Sequence, residues 1–313
     1  MKEIVNGEFP TPPILHIYPT NECNNECKFC IMKEERDRGG SLTREVFEEI
    51  IYSANFMGIK CIHISGGGEP TLYEHLDLIE GFKGYKVLST NGRELTRKTA
   101  DMFDRIRISI NAGSSEIYEQ VNGTKDFWKL DLRLIQLAKK PRSYQLGLGF
   151  VADANNWIDI PRACVLGDSL DMDFIHIRPA YYTKGTKDEK LVQLLGKSIS
   201  LISDSCKDAF KIPIYSINDK FEGYWTDKTY SKCRATPLHA VVTATGELSV
   251  CQDVFIKFGN LYTSSLEEIW QSKAHHEAIA KIDIDKCPRC VMNKANEVME
   301  HVIINNEVRS ELL

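Results

Sequence analysis

Six short apolar runs, each parted from the next by a stretch of different periodicity, constrain the fold of this chain most. They cover residues 14–18, 60–65, 85–89, 105–110, 146–151 and 174–177. Residues 44–56, 72–82, 115–121 and 127–137 lie between them, and their apolar positions recur with helical spacing. Strands alternating with helices imply right-handed βαβ units and a parallel sheet. Six units predict an α/β protein, a partial (β/α)6 TIM-like barrel open at one side. In parallel β/α barrels the active site lies at the carboxyl ends of the strands. The residues just after each strand are therefore the candidates for chemistry.

The first strand runs into Cys23-Asn24-Asn25-Glu26-Cys27-Lys28-Phe29-Cys30. Three thiolates spaced Cys-x3-Cys-x2-Cys on one loop can hold three corners of an iron–sulfur cubane. Such clusters normally take four cysteines, so something else must fill the fourth corner. Structural zinc also wants four ligands, and the next cysteine is Cys61. A disulfide reading leaves one of the three unpaired. The second strand ends in Ser65-Gly66-Gly67-Gly68-Glu69-Pro70, a glycine-rich turn at the same end of the barrel.

Leu15-His16-Ile17-Tyr18-Pro19-Thr20-Asn21-Glu22-Cys23, the cysteine triad and the Gly-Gly-Glu-Pro run together resemble the radical S-adenosylmethionine (SAM) superfamily. The resemblance implies the same partial barrel, with SAM chelated to the open iron of a [4Fe-4S] cluster on Cys23, Cys27 and Cys30. One electron then splits SAM, and the 5′-deoxyadenosyl radical takes a hydrogen atom from the substrate. The cofactor carries this chemistry while the protein positions and shields it.

By the same resemblance, Gly66, Gly67, Gly68 and Glu69 seat the SAM amino group. Glycine admits close backbone approach, and a carboxylate accepts from an ammonium. Phe29 matches the aromatic that lies against adenine. Ser109 and Asn111 match a strand whose small polar residues contact SAM, although the family more often has an aspartate where Asn111 stands. Asn91 is a further SAM-pocket candidate or a turn residue, and Asn155 and Asn156 are candidates for the ribose. Arg178, at the end of the sixth strand, could hold a carboxylate of SAM or substrate, or a phosphate. His63 and His176 are candidate proton acceptors, with Tyr181 nearby in sequence; a lone strand histidine is also often a hydrogen-bonded core residue.

A second cysteine set begins after a composition change near residue 212, which divides the chain into a barrel, 1–211, and a smaller α+β unit, 212–313. Cys233, Cys251, Cys287 and Cys290 are four thiolates that suit zinc or a cubane equally by spacing. Residues 236–243 and 247–250 read as two strands joined by Ala244-Thr245-Gly246. Cys-x12-Gly-x4-Cys followed by Cys-x2-Cys resembles the auxiliary-cluster extension of radical SAM enzymes called SPASM. No cysteine follows Cys290, so the shortened form, twitch, with one auxiliary [4Fe-4S] cluster, is implied. A helix is expected over 266–279, with His275 and His276 on its surface. The charge run 33–38 reads as a solvated loop. Cys61, Cys164 and Cys206 belong to neither set and read as small hydrophobes.

With 39 Lys plus Arg against 44 Asp plus Glu, the net charge is −5, which gives no reason to expect nucleic acid or an anionic membrane as partner. Ten cysteines, no secretory signal and no apolar run of membrane length predict metal ligation in a reducing, cytoplasmic setting. The resemblance thus implies an oxidoreductase-type enzyme with two [4Fe-4S] clusters and SAM, served by a reductant such as flavodoxin or ferredoxin. Its expected substrate is a small molecule (a sugar, an aminocyclitol or a related natural-product intermediate), with the auxiliary cluster accepting an electron. A peptide-modifying maturase and a radical epimerase using Cys164 or Cys206 as hydrogen donor are the enzyme alternatives. Outside enzymes, a noncatalytic iron–sulfur carrier would have no use for a SAM seat.

Overall fold

The computed structural model describes residues 9–180, 189–216, 228–252, 254–287, 290 and 292–304. Tyr181 lies outside them. The strands are β1 (Ile14–Ile17), β2 (Cys61–Ile64), β3 (Tyr85–Thr90), β4 (Arg105–Ser109), β5 (Gln145–Ala152), β6 (Phe174–Pro179) and β7 (Ile214–Ser216). They pair in sequence order, all parallel. The six expected strands are present. β7 pairs with β6 and so carries the barrel unit past residue 211, through Ser216.

Alternation along each strand separates two faces. Leu15, Ile17, Ile62, Ile64, Leu88, Ile106, Ile108, Leu148, Phe150, Ile175 and Ile177 are buried in the main core. The Arg44–Met57 helix meets them with Val46, Phe47, Ile50, Ile51 and Ala54, buried at helical spacing. Thr43 caps its first turn by accepting from the Val46 N–H at 3.4 Å, and Gly58 (φ 73°) ends it in the left-handed region. The alternate residues His16, His63, Ser89, Arg107, His176 and Arg178 face the other way, into the lumen, and are half-buried there. The expected helix at 72–82 is instead two 3-10 stretches, Pro70–Leu72 and Leu76–Gly81. Asn55 anchors the second, donating to the Gly81 carbonyl and accepting from the Lys83 N–H, both at 2.9 Å.

The C-terminal unit is built onto the same sheet. β8 (His239–Val242) pairs in parallel with β1, and β9 (Glu247–Ser249) and β10 (Lys257–Asn260) continue antiparallel. Gly246, at φ 77°, makes the β8–β9 turn. The expected helix at 266–279 is two, Leu266–Trp270 and Lys273–Ala280. The break falls at Ser272, which caps the second by accepting from the His275 N–H at 3.3 Å. Cys164 and Cys206 are buried with the helices on the outer side of the sheet, remote in orientation from the lumen.

His275 is not a surface residue: it is 1% exposed, stacked on Phe258 with ring centroids 4.1 Å apart. Its Nδ1–H donates to the Trp270 carbonyl at 2.8 Å, which leaves Nε2 buried without a partner. Protonation would bury an unsatisfied charge, so burial pushes the His275 pKa down to about 4 from its ordinary 6.5. The folded pKa lies below the unfolded one, so the stabilisation is present above pH 6.5 and is lost as pH falls toward 4. His275→Gln should reduce the stability difference between pH 7 and pH 5 by about 2 kcal/mol. Parallel urea denaturation of parent and variant measures this, because acid effects elsewhere in the chain are common to both.

Candidate active site

The cysteine loop follows β1, and two backbone hydrogen bonds fasten it to the glycine run that follows β2. Gly68 N–H donates to the Thr20 carbonyl and Glu69 N–H to the Glu22 carbonyl, both at 2.7 Å. The approach leaves no room for side chains. A Cβ on Gly67 would fall 2.2 Å from Asn21 Oδ1, and one on Gly68 1.9 Å from the Glu22 carbonyl oxygen. At least part of what these glycines provide is therefore contact between the two motifs.

Glu69 is buried and joins this unit to β3. Its Oε1 accepts from Thr71 N–H at 3.0 Å, from Thr71 Oγ1 at 2.7 Å and from the Thr90 hydroxyl. Its Oε2 accepts from Asn91 N–H at 2.7 Å. Burial raises its pKa, against the pull of these donors. Asn91 in turn donates to Asn24 Oδ1 at 2.6 Å, inside the cysteine loop. Arg93 reaches the same loop, donating to the Asn24 carbonyl and, at 3.1 Å, to Asn25 Oδ1.

Asn111 braces the loop from β4. It sits at φ 55°, a left-handed conformation that asparagine tolerates better than most residues. Its Oδ1 accepts from Val151 N–H at 3.0 Å and its Nδ2 donates to Asn122 Oδ1 at 3.1 Å. The Cys27 thiol lies 3.4 Å from that same Asn122 oxygen. Asn156 is fully buried and donates to the Asn111 and Val151 carbonyls, so it secures the end of β5. Asn155 is bound to Asp153. Phe29 is half-buried within the loop, and Ser109 is half-buried at the end of β4.

The charge run 33–38 contains a short helix, Lys33–Asp37. Its Arg36 bonds Glu26 at 3.0 Å, and its Nη1 stands 4.0 Å from Cys30 Sγ. Arg36 Nε is buried without a protein partner. Burial, then the neighbouring thiols Cys30 and Cys23, push the Cys27 pKa up to about 12, so this set favours company that offsets thiolate charge. Among the described residues no three His, Cys, Asp or Glu side chains close around a single ion. A cubane spreads its thiolate ligands over separate corners, which suits the triad, and an adjacent guanidinium suits a cluster's negative charge.

In the C-terminal unit the buried Tyr230 lies beside Cys290, Cys233 and Cys287, whose charges would raise its pKa further after burial. Asn296 Nδ2 donates to Cys233 Sγ at 3.7 Å, and Met292 N–H to Cys290 Sγ at 3.3 Å. Cys251 follows β9, and its carbonyl accepts from Ser249 Oγ at 3.2 Å. Tyr18, Met32 and Val241 form a small apolar cluster against Cys30 and Phe255, where the first cysteine loop meets the second unit.

His63 and His176 lie deeper, beside Arg178 and among Ser89, Arg107, His16 and His239, which the sequence alone does not single out. His63 Nε2 is 2.8 Å from Ser89 Oγ, and Arg107 bonds Ser89 Oγ at 3.0 Å and His176 Nδ1 at 3.3 Å. Arg178 adds a like charge near Arg107 and His63. Burial first, then His16, Arg107 and Arg178, hold His63 well below its ordinary pKa, so it is neutral. His16 and His239 are likewise pushed down, to about 3 and about 4, chiefly by burial. The signal for this polar lumen was Arg105-Ile106-Arg107 in β4. Strands of a parallel sheet buried on both faces should read as continuous apolar runs.

The radical SAM superfamily model matches residues 17–141, and a model described as an iron–sulfur cluster-binding domain, SPASM, matches 233–291. The chain carries a radical SAM domain followed by a SPASM iron–sulfur domain, and these domains imply a SAM-binding [4Fe-4S] cluster, SAM and an auxiliary iron–sulfur cluster. Probable GTP 3′,8-cyclase of Sulfolobus acidocaldarius is 31% identical over 186 residues, covering 56% of this chain and 58% of that protein. The protein of that name from Thermococcus kodakarensis is 32% identical over 118 residues, 35% of this chain and 38% of its own length. The chain thus matches well under two thirds of these relatives. Among solved structures, Streptococcus suis SuiB bound to precursor peptide SuiA shares the fold at TM-score 0.70 and 14% identity, covering 94% of this chain and 75% of SuiB. Native anSMEcpe with bound AdoMet and Cp18Cys peptide does so at TM-score 0.64 and 18% identity, covering 86% and 84%. No described helix is long and apolar enough to cross a membrane.

Gly68→Ala should disrupt the seam between the cysteine loop and the glycine run. Iron retained after anaerobic reconstitution should fall by about the content of one cubane, about four per chain, while the far-UV circular dichroism of the barrel persists.

Proposed function

We propose that this chain cleaves SAM reductively and abstracts a hydrogen atom from a C–H bond of a small molecule, oxidising or remodelling it. Cys23, Cys27 and Cys30 would hold the SAM-binding cluster. Cys233, Cys251, Cys287 and Cys290 would hold the auxiliary one, which would accept an electron. The cluster and SAM, when bound, supply the one-electron cleavage and the hydrogen abstraction. The chain supplies the seat and the chamber. Gly66 and Gly67 offer backbone groups beside the cysteine loop, held in place by the Gly68 and Glu69 bonds to it, with Phe29, Asn91, Ser109 and Asn111 around the same end of the barrel.

The observation that carries this reading is the joining of the cysteine loop to the glycine run directly above a polar lumen. A noncatalytic carrier needs neither the seat nor the chamber. His63 is the base nearest to hand, bonded to Ser89, whereas the His176 Nδ1 lone pair already accepts from Arg107. The relatives named GTP 3′,8-cyclase favour a small-molecule substrate. The peptide-bound fold neighbours keep peptide modification as the second reading. Radical epimerisation loses support, since Cys164 and Cys206 are buried away from the lumen.

The test is two-part. Anaerobically reconstituted protein given SAM and dithionite should release 5′-deoxyadenosine; no release above a cluster-free control would sink the enzyme reading. A variant with Cys23, Cys27 and Cys30 all changed to alanine should retain about four irons and release none. Complete loss of iron from that variant would remove the auxiliary electron acceptor and favour a redox-neutral reaction.

A further inference from the structure

Within the charge run 33–38, Lys33, Glu34, Asp37 and Arg38 are exposed, while Glu35 and Arg36 turn inward. Glu35 is matched inside the run, by Arg38 at 2.8 Å. Arg36 is matched across the cysteine loop. Its Nη2 donates to Glu26 Oε1 at 3.0 Å, and its Nη1 stands 4.0 Å from Cys30 Sγ. The Arg36 side chain is 12% exposed and that of Glu26 73%. The ion pair therefore lies across the rim of the loop, with its carboxylate in water and its guanidinium against the thiols.

The fold fixes this arrangement from both sides. Glu26 N–H donates to the Asn122 carbonyl at 3.0 Å and Lys28 N–H to the Val121 carbonyl at 3.1 Å, which seats the loop on the end of the Ser115–Asn122 helix. Arg36 N–H donates to the carbonyl of Met32, whose side chain is buried against Cys30. The chain then turns back through Gly39 and Gly40, at φ 67° and 99°. Asn21 Nδ2 donates to the Gly39 carbonyl at 2.7 Å, and Thr20 bridges to Ser41. The segment is closed onto its own start, so Arg36 is held over Cys30, where a long cation would otherwise extend its head into water.

A carboxylate in water is screened and offsets little of the field of a less exposed cation. The field at the thiols is therefore positive on this side. One electron adds one negative charge to a cluster on the triad, and the potential of such a cluster depends on net charge, hydrogen bonds to its sulfurs and solvent exposure. We infer that Arg36 raises the reduction potential of the cluster held by Cys23, Cys27 and Cys30, and so eases its loading by an external one-electron donor. The inference rests on the SAM-cluster reading above and goes beyond it by assigning the residue that sets the potential. The donor loses one electron, the cluster gains it, no bond changes, and the guanidinium meets the added charge. Glu26 acts in the opposite sense, weakened by its exposure.

Anaerobic redox titration of the reconstituted full-length chain with dithionite, followed by electron paramagnetic resonance, tests this. The signal to follow is the one missing from the variant with Cys23, Cys27 and Cys30 changed to alanine. Arg36→Gln should lower its reduced-to-oxidised ratio at a fixed potential about tenfold, which is 59 mV for one electron. Arg36→Lys, which keeps the charge but not the fork, should recover more than half of that shift. Glu26→Gln should move the ratio the other way, a dependence on charge that a packing role would not produce. An unmoved potential in Arg36→Gln, a lysine variant shifted as far as the glutamine one, or a lowered potential in Glu26→Gln overturns the proposal. If Arg36→Gln loses its iron, Glu26→Gln decides: a raised potential supports the proposal and any other result overturns it. Absence of the triad-dependent signal from the parent chain sinks the cluster reading itself, whereas an unmoved potential sinks only the role of Arg36.

Discussion

The contact between the glycine run and the cysteine loop is the constraint on which the rest of the site depends. Two short backbone bonds, Gly68 to Thr20 and Glu69 to Glu22, bring the carboxyl ends of β1 and β2 together. Side chains then tie in β3 through Glu69 and Asn91, and β4 through Asn111 and Asn122. Nearly every polar group at this end is committed to another part of it. Such satisfaction rigidifies a site, and a rigid site is what positions a reactive cofactor.

Below that rigid rim the lumen is polar. Arg107 and neutral imidazoles line it, and burial lowers the pKa values of Arg107, His63 and His16. The apolar side chains of the same strands face outward, where the helices cover them. One alternation therefore provides both the core and the chamber.

The C-terminal unit is not a loose appendage. β8 extends the barrel sheet from β1, and Tyr262 Oη accepts from Thr43 N–H at 3.2 Å, so the unit is fixed to the start of the Arg44–Met57 helix as well. Trp270 Nε1 donates to the Pro10 carbonyl at 3.0 Å, securing the segment before β1. A module bound this way holds its cysteines in a set relation to the barrel mouth.

Much of this was legible in the sequence because it is local. Strand and helix periods, the Cys-x3-Cys-x2-Cys spacing and the glycine run depend on residues near one another, and the six strands follow from them. The polar helix around His275 gives no hint of the Phe258 face on which that ring packs. The break in 266–279 is invisible locally because the capping strength of Ser272 depends on the turn around it. Arg107 and His239 carry no local signal because their meaning is collective. An arginine in a strand is buried in the lumen only when Ser89, His176 and Gly149, drawn from three other strands, surround it. The sequence by itself determined the alternation, the cysteine sets and hence the two domains they mark, since these are patterns of spacing. Only the tertiary structure decided which faces meet, and so which polar side chains share the lumen.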